Sequence, residues 1–144
     1  MLIDPTSTYA RAAAAAMGRA MDDSIIAAAT GSALTGKTGG TSTALTQTIA
    51  NGSADMTVAK LIEAKKKLDD GSVDPSIPRH IVVGPDQIEA LLGTTSVTSS
   101  DFNTVKALVQ GEIDTFMGFK FHTSTRLSKA GNIRKCFAFA EDGL

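Results

Sequence analysis

The sequence predicts an α+β protein in which one long helix precedes a mixed α/β segment, and three observations carry that prediction. Residues 4–30 form an alanine-rich run with a larger apolar or alanine residue at every fourth position. From residue 51 onward, helix-like and strand-like segments alternate, punctuated by glycine and proline. A chain of 144 residues also fits one ordinary domain, which at this size buries roughly 68 to 70% of its unfolded surface and needs no covalent staple.

Charge and cysteine content narrow the function classes. Fourteen basic against fifteen acidic residues give a net charge of -1, and no polybasic tail is present. Neither a dedicated nucleic-acid site nor a membrane-surface patch is therefore expected. A single cysteine cannot form an internal disulfide framework. The alanine run Ala12 to Ala16 is weakly apolar and lies among Arg11, Arg19, Asp22 and Asp23, so it predicts a soluble chain with no membrane span.

The first helix is expected from Asp4 to Thr30. Asp4 is its cap, Pro5 its first residue and Gly31 a left-handed stop. Tyr9, Ala13, Met17, Met21 and Ile25, with Ile26 alongside, make one apolar stripe that should face protein. At 1.5 Å per residue, residues 5–29 would run on the order of 37 Å, the length of a scaffold rod.

GSALTGKT, residues 31–38, meets every fixed position of the phosphate-loop pattern through Gly31, Gly36, Lys37 and Thr38. That pattern works where a buried strand leads into a helix, because only then do backbone N–H groups and the helix N-terminus converge on phosphates. Here a helix precedes it, and Gly39-Gly40-Thr41-Ser42-Thr43, which resists helix formation, follows. The nearest apolar strand, Ile81-Val82-Val83, is separated from Asp86 by Gly84 and Pro85. The stretch therefore reads as a polar loop or hairpin with Lys37 in solvent.

Ala44 to Ala50 is expected to add a short strand. Thr57 caps a helix over Val58 to Asp70, with Val58, Leu61, Ile62 and Leu68 inward, Gly71 as its stop and Lys65, Lys66 and Lys67 on a solvated face. Residues 72–79 connect to a strand over Ile81 to Val83. Gly84-Pro85-Asp86 then turns into a short helix that buries Ile88, Leu91 and Leu92 and ends at Gly93.

Thr94 to Ser100 reads as a loop. Ser100 or Asp101 caps a helix burying Phe102, Val105, Leu108 and Val109, and Gly111 ends it. Ile113 to Ser124 reads as one strand with Phe119, Phe121 and Thr123 on its buried face and Lys120, His122 and Ser124 on the other. Ser128 to Ile133 forms a polar turn. Arg134 to Ala140 is a last strand, apolar on both faces and so expected in the centre of its sheet, with Cys136 and Ala138 opposite Phe137 and Phe139.

Catalytic chemistry has no foothold in this pattern. His80 and His122 have no further histidine or cysteine at metal-ligand spacing, and Cys136 sits in an apolar strand with no activating base. The carboxylate pairs Asp22-Asp23 and Asp69-Asp70 fall on exposed helix positions or helix ends. No catalytic, cofactor-binding or metal residue is assigned.

The strings themselves carry a resemblance. Leu2-Ile-Asp-Pro-Thr-Ser-Thr-Tyr9, leading through the alanine helix to Asp22-Asp-Ser-Ile-Ile-Ala-Ala27, resembles the spine helix of tailed-phage and prophage major capsid proteins. Arg79-His-Ile-Val-Val-Gly-Pro85, Leu91-Leu-Gly93, Val97-Thr-Ser-Ser-Asp101, Val105-Lys-Ala-Leu-Val-Gln-Gly111, Phe116-Met-Gly-Phe119 and Ser124-Thr-Arg-Leu127 are similar, in that order, to the axial domain of the same family.

The resemblance implies the Hong Kong phage-type capsid fold. In it, residues 1–50 belong to the peripheral part with its spine helix, and residues 51–144 form a mixed α/β axial domain. It also implies a structural role without chemistry: self-association into hexamers and pentamers that enclose DNA, alongside other phage head proteins, in a virion capsid made in the bacterial host cytoplasm. Family members carry an N-terminal arm and an extended loop before the spine helix, and they return after the counterpart of Ala138 to Leu144 to finish the peripheral sheet. On that comparison the chain is expected to be a fragment lacking all three. The competing readings are a small phosphate-loop nucleotide-binding enzyme, from GSALTGKT, and a phage tail or head-completion protein with a similar domain.

Overall fold

The computed structural model describes residues 7–93 and 115–143 and shows a mixed α+β chain that divides into two compact units, Met1–Leu45 and Thr46–Leu144. The first unit is a helix and a hairpin. Helix α1 spans Thr8–Thr30 and is capped by Ser7, whose side chain accepts from the Ala10 N–H at 3.2 Å. The expected cap Asp4 and the first-turn Pro5 lie outside the described residues.

The helix end departs from expectation. Gly31 sits at φ -91° and ψ -162°, extended rather than left-handed. Glycine is required there for a different reason, since a Cβ would stand 2.7 Å from the Ala27 carbonyl oxygen. Thr30 closes the last turn by donating its hydroxyl to the Ile26 carbonyl at 2.8 Å.

Strands β1 (Ser32–Thr35) and β2 (Thr41–Ala44) follow as an antiparallel hairpin, with Thr35 opposite Thr41. The strand expected over Ala44 to Ala50 instead ends at Ala44 and begins at Thr41. The threonines explain this shift, because Thr35 Oγ1 reaches both the Thr41 carbonyl at 3.2 Å and Thr43 Oγ1 at 3.0 Å. Side-chain bonds across the two strands thus supply what apolar residues would otherwise give.

The second unit opens with a loop gathered by Lys60, whose ammonium donates to the carbonyls of Asn51 and Asp55, each at 2.8 Å, and to that of Ala54. Helix α2 (Val58–Asp70) is capped as expected by Thr57, which accepts from the Lys60 N–H at 3.4 Å. Leu61 is buried, with Val58, Ala64 and Leu68 packed beside it. Ile62 is 56% exposed, contrary to expectation, because the inward stripe steps through 58, 61, 64 and 68 and leaves position 62 outside it.

A four-stranded sheet holds the rest, in the order β4 (Thr115–Phe116), β5 (Phe119–Thr123), β3 (Arg79–Val83) and β8 (Phe137–Ala140). Strands β3 and β5 are parallel, while the outer pairings are antiparallel. Helix α3 (Pro85–Gly93) leaves directly from β3, with Pro85 in its first position and the Gln87 side chain accepting from the Gly84 N–H at 3.1 Å. A short hairpin, β6 (Lys129–Ala130) and β7 (Ile133–Arg134), precedes β8, and a 3₁₀ turn (Glu141–Gly143) follows it. The loop expected over Thr94 to Ser100, the helix with Phe102, Val105, Leu108 and Val109, and Ile113 lie outside the described residues.

Two strand assignments are corrected. The single strand expected through Ser124 is a hairpin in its described part: Met117 and Gly118 take φ of 54° and 85° and turn β4 back onto β5, with Phe116 opposite Phe119. Positive φ at both loop residues is the geometry that follows strand twist in a two-residue turn. Strand β8, expected in the centre, lies at the edge among the described residues, and β3 takes the central place. Both apolar faces of β8 make side-chain contact instead: Ala138 packs against the core, while on the other face Phe137 stacks on Phe139 at 6.0 Å and Phe139 on His80 at 5.3 Å.

The core of this unit gathers Leu61 from α2, Leu91 from α3, Ile81 and Val83 from β3, and Phe116 and Phe119 from the β4–β5 hairpin. Phe119, Leu61, Leu91 and Val83 are the largest fully buried side chains. Each contributes on the order of 1.5 to 3 kcal/mol by leaving water.

Candidate functional site

The phosphate-loop motif was the strongest formal signal in the sequence, and its geometry is that of a hairpin tip. Gly36 and Gly39 adopt φ of 90° and 67°, and the Gly39 N–H is spent on the Gly36 carbonyl at 3.1 Å. Lys37 and Thr38 are exposed on the turn between β1 and β2. The turn leads into strand β2 and not into a helix, so no helix N-terminus follows Thr38 to face a phosphate position. The residues match the pattern, whereas the flanking elements are those of another structure.

Histidine and cysteine positions show no metal centre: among the described residues no group of three or more His, Cys, Asp or Glu side chains gathers at ligand distance. The fold does bring His80 and His122 together. They are 42 residues apart, yet parallel pairing of β3 with β5 sets His80 Nδ1 2.9 Å from His122 Nε2. Their separation in sequence hides the pairing, since only the register of two non-adjacent strands brings them together.

Burial pushes the Cys136 thiol above its ordinary range, against smaller opposing effects of a hydrogen bond from the Gly84 backbone and the charge of Arg134. A thiol held protonated is a poor nucleophile, in line with the expectation of a small core residue.

Two ion-pair clusters escaped the sequence reading. Arg79, 6% exposed, donates from Nη2 to Asp69 Oδ1 at 2.6 Å and to the Val73 carbonyl at 3.2 Å, fastening the start of β3 to the end of α2. Arg134 donates to Asp86 Oδ2 and to the Thr125 carbonyl, each at 3.2 Å, and Lys129 stands 3.7 Å from the same carboxylate. Both join elements, and Asp69 and Arg79 also line an open cleft with Lys65, Val73 and Pro78; the only cue to either in the sequence is the helix end at Asp69-Asp70.

On α1 the expected stripe is present but, contrary to the expectation that it faces protein, it is open to solvent within the chain except at Ile26. Tyr9 is 85% exposed, Met17 67%, Met21 66% and Ile25 49%, while Ile26 is buried. Met17, Ala20, Met21, Ser24 and Ile25 line a shallow apolar groove along the helix. No helix among the described residues is long and apolar enough to cross a membrane.

Charged side chains that tie elements together, a nucleotide motif that is a hairpin tip and an apolar stripe bared on the longest helix among the described residues are features that suit a structural protein. The family model for phage capsid protein matches residues 1–144, and the chain belongs to that family. Its role is that of a structural component of a bacteriophage capsid, as the resemblance implied. No curated protein and no solved structure matches the chain.

Proposed function

We propose that the chain contributes to the capsid by self-association into hexamers and pentamers that enclose DNA, with residues 1–50 in the peripheral part and residues 51–144 as the axial-type domain. The observation that carries this reading is the exposed apolar stripe Tyr9, Met17, Met21 and Ile25 along α1. Exposed apolar side chains repeated along one helix face favour association, since each leaves water on contact. Other phage head proteins are the natural further partners. DNA would be enclosed without a dedicated site, given a net charge of -1. Synthesis in the host cytoplasm and residence in the virion shell follow from the same role.

Light scattering over a broad concentration range tests this. The expected result is an oligomer that dissociates when Met17 and Met21 are both replaced by lysine. A strict monomer at every concentration defeats the reading. The role involves no chemistry, and ATP titration by calorimetry checks that part: no heat that depends on Lys37 is expected, and lysine-dependent binding would restore the nucleotide enzyme.

A further inference from the structure

The His80–His122 contact has a geometry that discriminates between two chemistries. Two imidazole nitrogens 2.9 Å apart either share a proton or flank a common ion. The ring centroids lie 5.2 Å apart with planes 25° from parallel. An imidazole nitrogen sits about 1.1 Å from its own ring centre, so these separations place both nitrogens on the line joining the centres, with lone pairs aimed at each other. Chelation of one ion would need lone pairs that converge to the side. The contact is a head-on N–H···N hydrogen bond.

Such a bond needs one donor and one acceptor. Whichever ring donates, both hold the same tautomer when neutral: Nδ1–H in both if His80 donates, Nε2–H in both if His122 does. One added proton leaves an imidazolium donor facing a neutral acceptor, and the bond strengthens. A second leaves two donors face to face, with no lone pair and two positive charges in contact. Phe139, stacked on His80 at 5.3 Å with planes 22° apart, opposes rotation of that ring out of line.

Among the described residues, few charges face the pair. Strand alternation puts Lys120 of β5 on the same face, while β3 sends Arg79 to the other one. Strand β4 carries Thr115 and Phe116, and β8 carries Phe137 and Phe139. Glu141 stands exposed just past β8, where water screens it. Lys120 shares this face with the pair, and strands β3, β4, β5 and β8 carry no carboxylate among their described residues.

We propose that His80 and His122 form a proton-sharing clasp across the parallel β3–β5 pair, which holds with one shared proton and opens when both rings are charged. The sheet of the Thr46–Leu144 unit is then fastened at neutral pH and loosened in the acidic range where histidine pairs fill with protons. The chain holds only two histidines, so every imidazole signal reports on the clasp.

Nitrogen-detected NMR of the full chain between pH 8 and pH 4.5 tests it. The expected result is proton uptake in two separate steps, with both rings in one tautomer at the alkaline end. Independent, coincident titration of two freely exchanging rings would overturn the proposal. His122→Gln supplies a second measurement, because glutamine can donate to or accept from His80 without ever carrying charge. Its melting temperature should fall less between pH 7.5 and pH 5 than that of the native chain, and an equal fall would also count against the clasp. Should the variant not fold, the native-chain titration still decides.

Discussion

Arg134 passes so close over Gly84 that a Cβ on the glycine would stand 2.5 Å from Arg134 Cδ and 2.8 Å from its Nε. The arginine cannot simply swing away, because Asp86 and Thr125 hold its guanidinium at 3.2 Å on either side. Gly84 also occupies the junction where β3 becomes α3, so its lack of a side chain lets the β6–β7 hairpin latch onto the start of α3.

Gly84→Ala should therefore cost about 1 to 3 kcal/mol, the range for overpacking a filled site. Arg134→Ala alone removes the latch and costs less. In the double variant the methyl group meets no guanidinium stem, so the two losses should fall short of additive in urea unfolding. Additive losses would mean that the crowding at Gly84 comes from Gln87 Oε1, the other near atom at 2.7 Å.

The Arg79–Asp69 pair makes a second prediction. Arg79 is buried with its guanidinium 2.6 Å from a carboxylate whose side chain is 47% exposed. Asp69→Ala leaves a positive charge inside that still donates to the Val73 carbonyl, at a cost of about 2 to 3 kcal/mol, below the range for a fully buried pair because water reaches the aspartate. Arg79→Met, which removes the charge and keeps the apolar stem, should cost less than Asp69→Ala in the same denaturation experiment.

The contrast between Gly84 and Gly31 shows what was legible in the sequence. Periodicity and caps located α1, α2, β3 and α3, because Thr57, Pro85 and the apolar spacing act within a few residues of themselves. Glycine as a helix stop was also legible at Gly31, although the reason was not: contact with the Ala27 carbonyl depends on the path of the chain beyond the helix. The His80–His122 and Arg134–Asp86 contacts span 42 and 48 residues. They follow from register and packing, which local pattern does not encode. The central place of β3 was missed because β8 is apolar on both faces, and that property reports what covers a strand, not how many strands flank it.

Cys136 should react slowly with iodoacetamide at pH 7.5, far below the rate of a free thiol and rising once urea unfolds the chain. Burial raises its pKa in the folded state, so its contribution to stability is fully present below the unfolded thiol range near about pH 8.5 and is lost as pH rises through the higher folded value. Stability of the native chain should therefore decline on the alkaline side, and Cys136→Ala should lessen that part of the decline. Rapid labelling of the folded chain would show that the strand around Cys136 opens readily.

The end of α2 carries the last prediction, because the left-handed residue there is not the glycine. Gly71 lies at φ -78° and ψ 8°, whereas Ser72 takes φ 58°. The hydrogen bonds agree: the Ser72 N–H reaches the Asp69 carbonyl at 2.9 Å and the Val73 N–H reaches the Leu68 carbonyl at 3.1 Å, the paired closure of a Schellman turn with Ser72 in its left-handed position. A serine there bears a steric cost that glycine does not. Ser72→Gly should stabilise the chain by about 0.5 to 1 kcal/mol, the left-handed relief exceeding the added freedom of the unfolded backbone. Gly71→Ala should cost less than about 1 kcal/mol, since its Cβ would come no nearer than 3.3 Å to the Lys67 carbonyl oxygen. A loss of stability in Ser72→Gly would mean that the serine side chain holds this turn through contacts worth more than the strain it bears.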